Sequence, residues 1–269
     1  MIKEEFFKIL PSLYEICIRV GELQVKHHKT KLNYQKKKDN TLVTEVDIIS
    51  SQMIKDSLQK LTPEIPVISE EHYTDEFLYS DFWIVDPLDG TSNYINNGTN
   101  FCINIGLISE NKSVLGLIYS PITKDLYYAF KNSGAFFLKY SLNPVKINTL
   151  VIKNDDKKLI YLSSSINKKV IEILSTELTN VEFINCASAL KFGYIASGNG
   201  CFYPRLGPTH EWDTASGQCI IEEAGGLVLD KNMNPLAYNK NSSYLNNEFF
   251  VISDGRFDWS KVIKLITHL

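Results

Sequence analysis

Residues 83–94, WIVDPLDGTSNY, decide how this chain is read, because two carboxylates, a proline, a glycine and a threonine follow directly on a hydrophobic run. Phe82, Trp83, Ile84 and Val85 are aromatic or β-branched, a composition that predicts a short buried strand. Asp86 stands at its end. Pro87 fixes one φ angle and removes a donor, so a turn is expected there, with Asp89 brought round to the pocket that Asp86 faces. Carboxylate oxygens, main-chain carbonyls and water suit Mg2+, and two such ions about 3.5–4 Å apart can clamp the attacking and leaving oxygens of a phosphoryl transfer. Gly90 lets a phosphate approach the backbone. Its N–H and that of Thr91 would form an anion-binding nest if a turn or helix opens there, while the Thr91 hydroxyl could hold a water or a metal ligand. Asp-Pro and Asp-Gly are also common turn formers, so the segment in isolation allows a strand-end turn without chemistry.

The 269 residues, 44% of them apolar, can bury a full core, as one large domain or as two that share a cleft. A net charge of -3 and an isoelectric point near 6.0 argue against a nucleic-acid polymer bound on a basic face. A small anionic substrate stays open, since a bound metal supplies positive charge locally. Cys17, Cys102, Cys186, Cys201 and Cys219 are odd in number and contain no C-x-x-C pair, so they read as reduced, mostly buried thiols of an intracellular protein. The first residues, MIKEEFFKIL, include acids, and Pro11 follows, which is not a signal-peptide pattern. No run approaches the roughly 18 apolar residues of a membrane span. A cytoplasmic protein is expected.

Phe6, Leu10, Leu13, Cys17 and Val20 recur at helical spacing and predict an amphipathic helix over 3–28, bent near Pro11, followed by a polar loop over 29–41. A second helix is expected from Glu45 to Lys60 with Val46, Ile49, Met53 and Leu58 on its apolar side. Strands are predicted at 66–69, 82–86, 100–108, 113–119 and 125–130, as helices packed on an antiparallel sheet. Beyond Asn143-Pro144 and the polar stretch Lys153 to Lys158, strands at 159–163, 181–185, 200–203, 226–229 and 248–252 alternate with helices at 167–178, 186–197, 211–224 and 257–267, which suggests α/β layers. The expected division is therefore 1–150, an α+β metal-binding part, and 151–269, an α/β substrate-side part.

Three further carboxylates carry two readings each. Glu70 and Glu71 end the brief strand Val67-Ile68-Ser69, where Glu70 is either a third metal ligand or part of an acidic surface loop that continues through Asp75 and Glu76. Asp213 opens WDTASGQCIIEEAGG, a helix stopped by Gly225-Gly226; it is either a ligand or a first-turn acid stabilised by the helix dipole. Thr44-Glu45-Val46-Asp47 matches a capping box, which explains Asp47 by itself. Alternatively Asp47 pairs with the Thr91 hydroxyl, and together they orient and deprotonate an attacking water.

With Asp86-Pro87-Leu88-Asp89-Gly90-Thr91 and Trp212-Asp213-Thr214-Ala215-Ser216-Gly217 in hand, the chain resembles the inositol monophosphatase superfamily of Mg2+-dependent, lithium-sensitive phosphatases. The likeness extends over nearly the whole chain, through 39–44, 61–71, Ser188-Ala189-Leu190-Lys191-Phe192 and residues 203–209 (YPRLGPT), the last two pointing to its bisphosphate nucleotidase branch. The resemblance implies stacked α/β/α/β/α layers, with two or three Mg2+ ions. It implies metal ligation by Glu70, Asp86, Asp89, Asp213 and the Leu88 carbonyl, water activation by Asp47 and Thr91, and a backbone grip on the cleaved phosphate by 88–91. Lys191 and Arg205 become candidates for the nucleotide's other groups. The implied reaction is hydrolysis of the 3′-phosphate of adenosine 3′,5′-bisphosphate to AMP, with a role in sulfur metabolism or nucleotide clearance and a homodimer as a common assembly. Two segments depart from the nucleotidase pattern: Ser92-Asn93-Tyr94 is nearer to the inositol monophosphatase form, and Ser163-Ser164-Ser165-Ile166 lacks an arginine and a histidine. An inositol- or sugar-phosphate phosphatase is the first alternative, and a noncatalytic protein that binds phosphorylated metabolites is the alternative of another class.

Overall fold

The computed structural model describes residues 3–30, 34–37, 42–73, 79–140, 142–163, 165–240 and 243–269, with residues 3–5 described by backbone alone. Helices α1 (Lys3–His27) and α2 (Glu45–Leu61) form the first layer. Pro11 lies within α1 without ending it. One interior proline costs about 3 kcal/mol, whereas burying Leu13, Ile16 and Cys17 just beyond it returns roughly 1.5–3 kcal/mol for each large apolar side chain. The capping box of α2 forms: the Thr44 side chain accepts from the Val46 and Asp47 N–H groups, and the Asp47 carboxylate accepts from the Thr44 N–H at 2.8 Å. Its buried stripe runs Val46, Ser50, Ile54 and Leu58, so Ile49 is 46% exposed and not on the apolar side, contrary to expectation. Small Ser50, which accepts from the Gln24 side chain at 3.2 Å, replaces an apolar residue where α1 and α2 meet. Within the polar 29–41 stretch, β1 (Tyr34–Lys36) pairs antiparallel with β2 (Leu42–Thr44); residues 31–33 and 38–41, including the start of the 39–44 likeness, lie outside the described residues.

The second layer is a seven-stranded sheet in sequential order: β3 (Val67–Ser69), β4 (Asp81–Asp89), β5 (Cys102–Ser109), β6 (Lys112–Ser120), β7 (Asp125–Phe130), β8 (Ala135–Leu138) and β9 (Val145–Ile147). All its pairs are antiparallel except β3 with β4, which are parallel, so the ends of both strands lie at one edge of the sheet and present Glu70 and Asp86 together. Alternation along β4 sends Trp83 and Val85 toward α1 and α2, and Phe82 and Ile84 to the opposite face. The short β8 and β9 carry too few residues to show a period in the sequence.

Strands β10 (Lys158–Leu162), β11 (Val181–Asn185), β12 (Phe202–Arg205), β14 (Leu227–Asp230) and β16 (Phe249–Ile252) form a five-stranded sheet ordered β11-β10-β12-β16-β14; β13 (Thr209–His210) and β15 (Leu245–Asn246) pair separately. Helices α5 (Leu190–Ala196) and α6 (Ala215–Glu223) lie between the two sheets, while α4 (Lys168–Glu177) and α7 (Ser260–Thr267) cover the outer face of the smaller one. A short α3 (Thr91–Ile95) follows β4. The stack is thus α/β/α/β/α. Helix α6 sits directly on β6: a Cβ at Gly116 would lie 2.1 Å from the Ser216 carbonyl oxygen, so no larger residue fits. That contact fixes the chain just before α6, where Asp213 lies. All five cysteines are buried and free, and no helix among the described residues is long and apolar enough to cross a membrane.

Candidate active site

The turn expected at Pro87 does not form; β4 continues to Asp89 through a bulge. Asp86 stands opposite Asn104 and Asp89 opposite Cys102, so three steps on β4 match two on β5. A residue without an N–H is tolerated there because the ladder is already interrupted. The extra residue matters for the site. Residues three apart on a regular strand point to opposite faces, and the bulge re-aims them so that Asp86 and Asp89 meet in one pocket. The Pro87 carbonyl accepts from the Gln24 side chain at 2.7 Å, and the Leu88 N–H donates to the Asp86 carboxylate at 2.9 Å. Gly90 follows with φ +92, a conformation that disfavours any side chain, and a Cβ there would lie 2.9 Å from the Asn100 carbonyl.

Carboxylate oxygens of Asp86, Asp89 and Asp213 all lie within 4.8 Å of one another. Asp213 is not in the first turn of an α-helix, as its sequence suggested. It closes a 3-10 turn, Glu211–Asp213, and accepts from the His210 N–H at 3.1 Å, with α6 beginning at Ala215. Glu70 lines the same cleft outside this trio, and its N–H donates to the Val85 carbonyl at 3.1 Å. Burial, then repulsion from Glu70, Asp89 and Asp213, pushes the Asp86 carboxyl well above its ordinary value; burial, then Asp89 and Glu70, does the same to Asp213. Burial also raises Asp89, against the opposing pull of Lys191, the Ala189 N–H and Asn104. The Asn104 side chain donates to Asp89 at 3.3 Å and the Ala189 N–H donates to the same oxygen.

Such crowding of acids is unfavourable unless a cation joins them. Lys37 supplies one: its Nζ lies 2.7 Å from both Glu70 and Glu71. Burial lowers the Lys37 pKa, but the two glutamates outweigh it and the net shift is upward. An all-oxygen donor set with unbalanced negative charge fits a hard divalent ion such as Mg2+.

Asp47, buried in the first turn of α2, touches Thr91, which lines this cleft. Its Oδ2 accepts from Thr44, and its Oδ1 accepts from the Thr91 hydroxyl at 2.9 Å; that hydroxyl also lies 3.0 Å from the Leu88 carbonyl. The cap and the Thr91 pairing coexist, one on each carboxylate oxygen. Burial raises the Asp47 pKa, although its bonds to Thr44 and Thr91 pull it down.

Facing the acids, the cleft of about 470 Å3 is lined by Ser92, Ser163, Ser165, Ser188, Lys191 and Arg205. Lys191 is buried, with Nζ donating to the Cys186 carbonyl at 3.0 Å and the Ser188 carbonyl at 2.6 Å, and lies 4.7 Å above the Tyr203 ring. Arg205 donates from Nε to Thr209 at 2.8 Å. Asn93 turns away to accept from the Asn100 N–H at 2.9 Å. Ser164 lies outside the described residues. Lys37 and Asn104 escaped notice in the sequence: the lysine sits in a run of lysines that reads as a solvated face, whereas Asn104 had a signal, being the one polar side chain inside FCINIGLI.

A five-layer α/β/α/β/α stack, with acids gathered where its larger sheet ends, is the sugar-phosphatase fold. A model of the inositol monophosphatase family matches residues 6–256, and the chain belongs to that family. It is 33% identical over 264 residues to a protein named 3′(2′),5′-bisphosphate nucleotidase CysQ from Aggregatibacter actinomycetemcomitans, covering 94% of this chain and 96% of that one. Among solved structures, an IMPase of Thermotoga maritima superposes with a TM-score of 0.83 at 25% identity, covering 97% of this chain and 98% of the other. CysQ from Bacteroides thetaiotaomicron does so with a TM-score of 0.74 at 27% identity, covering 90% and 97%.

Proposed function

We infer that the protein is a Mg2+-dependent phosphomonoesterase that hydrolyses the 3′-phosphate of adenosine 3′,5′-bisphosphate to AMP and phosphate. The observation that carries this reading is a single cleft lined by four acids, by Thr91 with its bond to buried Asp47, and by two cations, Lys191 and Arg205. Glu70, Asp86, Asp89, Asp213 and the Leu88 carbonyl would hold two or three Mg2+ ions. Once bound, Mg2+ makes water more acidic and offsets charge on the phosphoryl oxygens. Thr91 orients the attacking water: as its own proton passes to Asp47 Oδ1, its oxygen takes one from the water. Asp47, raised by burial, is a better acceptor than an exposed carboxylate. The backbone of 88–91 grips the phosphate being cleaved, with Gly90 permitting close approach.

The substrate's second phosphate falls to the opposite wall. Lys191 gives two of its three N–H donors to carbonyls among the described residues, which leaves one for a phosphate oxygen. The relative named as a bisphosphate nucleotidase supports this choice. Ser92, which lines the cleft in a segment nearer to the inositol monophosphatase form, favours the second reading, an inositol- or sugar-phosphate phosphatase. Phosphate release by the purified protein with Mg2+ decides between them: adenosine 3′,5′-bisphosphate should turn over faster than inositol 1-phosphate, and the reverse order overturns the nucleotide assignment. If a broad panel of phosphomonoesters yields no phosphate, the chain only binds such metabolites. We further take 1–150 and 151–269 as the parts that share the cleft, in a cytoplasmic homodimer whose assembly sedimentation would test.

A further inference from the structure

Leu13, Cys17 and Val20 form a buried stripe along α1, and Gln24, 0% exposed, stands where the next apolar residue of that stripe would fall. Its Oε1 finds no hydrogen-bond donor among the described residues, although burying an unpaired amide oxygen is unfavourable. An apolar side chain would avoid that cost. What the amide supplies instead is a donor: Nε2 bonds the Pro87 carbonyl at 2.7 Å and the Ser50 hydroxyl oxygen at 3.2 Å. Because a carbonyl only accepts, the NH2 end of the amide is the one that faces Pro87.

The Pro87 carbonyl and the Leu88 N–H belong to one peptide group, planar by resonance, in which they point in opposite directions. On the far side of that plane the Leu88 N–H donates to the Asp86 carboxylate at 2.9 Å. The Gln24 amide, the Pro87–Leu88 peptide and the Asp86 carboxylate are thus connected in series. Holding the carbonyl at one end sets the tilt of the N–H at the other, and a bonded carbonyl polarises its own N–H into a better donor. This peptide lies in the bulge, where the register of β4 on β5 shifts between Asp86 and Asp89, so the regular ladder does not set its tilt.

We propose that Gln24 is a positioning residue for Asp86, acting through the Pro87–Leu88 peptide to aim that carboxylate at the metal pocket, a role that rests on the metal-binding reading above. A residue on the first helix, outside the cleft, then sets how well the acids of the larger sheet hold a cation.

Gln24→Met tests this, since it keeps the bulk and removes the donor. Mg2+ affinity measured by calorimetry should fall about tenfold or more, as is typical when the outer partner of a metal ligand is lost, and turnover should recover as Mg2+ is raised. In metal-free protein, exchange of the Leu88 amide proton, followed by NMR, should quicken. Ser50→Ala is the control. It removes the other partner of the same Nε2 and leaves the Pro87 bond, so melting temperature should fall while Mg2+ affinity and Leu88 exchange stay at wild-type values. Gln24→Leu carries the same expectations if the methionine variant does not fold. Wild-type Leu88 exchange or wild-type Mg2+ affinity in the Gln24 variants, or equal shifts in Ser50→Ala, would overturn the proposal. Wild-type protein that binds no Mg2+ would overturn the metal reading itself, whereas Leu88 exchange would still report whether Gln24 orders the peptide that holds Asp86.

Discussion

The two walls of the cleft are built in opposite ways. On one side, Asp86 and Asp89 come from a single bulged strand and Glu70 from its parallel neighbour, so a few adjacent residues of one sheet aim three of the four acids, and Asp213 joins them from the Glu211–Asp213 turn. On the other side, Ser163 follows β10, Lys191 lies in the first turn of α5 and Arg205 ends β12, so three separate elements of the second half contribute. Adjacent positions on one sheet constrain one another, whereas contributors from separate elements can change one at a time. The chemistry of hydrolysis would then be fixed on the first wall and substrate choice set on the second.

Substitutions on the two sides should therefore fail differently. The largest effect is expected from Asp47→Asn, which keeps the size of the side chain but removes the carboxylate proposed to accept the Thr91 proton. Turnover should fall by about 10²–10⁴-fold on every substrate; a loss confined to the nucleotide would break the division between walls. Asp89→Asn should also lower turnover on all substrates, with weakened Mg2+ binding measurable by calorimetry. Lys191→Ala should act mainly on the second wall, although it also removes the charge that opposes the upward shift of Asp89. It removes charge-assisted bonds worth about 1.5–3 kcal/mol each, so kcat/KM for the bisphosphate should drop roughly ten- to a hundredfold, with a smaller change for a compact monoester. Smallest of all, Asn93→Ala should cost about 1 kcal/mol of stability through the lost bond to Asn100, and leave substrate preference alone. A changed preference would move Asn93 onto the substrate wall.

Acidity offers a second measure of the first wall. Asp86, Asp213 and Glu70 have folded pKa values above their ordinary range in the absence of metal, and Glu71 is pushed up to about 7 by burial and by Glu70. Each binds protons more tightly folded than unfolded, so their contribution to stability is present below the ordinary carboxylate range, about 4, and is lost as pH rises through the folded values. Melting temperature of metal-free protein should fall from about pH 5 to pH 8, relative to an Asp86→Asn variant, and added Mg2+ should restore it more at the higher pH. A flat profile without metal would mean that Lys37 alone neutralises the wall.

The first wall was largely legible and the second was not. Asp86 to Thr91 announced themselves because a hydrophobic run ends in acids, and the Thr44–Asp47 box was readable because capping is local chemistry. Pro87 misled: its missing donor indicated a turn, but a bulge accommodates the same defect, and only pairing with β5 decides between them. Hydrophobic spacing favours Ile49 for the apolar side of α2, but Ser50 faces α1 through its bond with Gln24 and leaves Ile49 exposed. Lys37 carried no signal, since its partners, Glu70 and Glu71, lie more than thirty residues away.

By itself the sequence determined the strand-ending acids, the helix caps and the alternation of layers, all of which depend on residues within a turn or a strand of one another. The tertiary structure decided which of those acids meet, that Asp47 serves Thr44 and Thr91 at once, and that Asn93 turns away while Ser92 stays. The physical reason is range. Propensity and capping act between near neighbours, but convergence of Asp213 on Asp86 and Asp89 requires α6 pressed onto β6 at Gly116, a contact between residues about a hundred positions apart that no local pattern encodes.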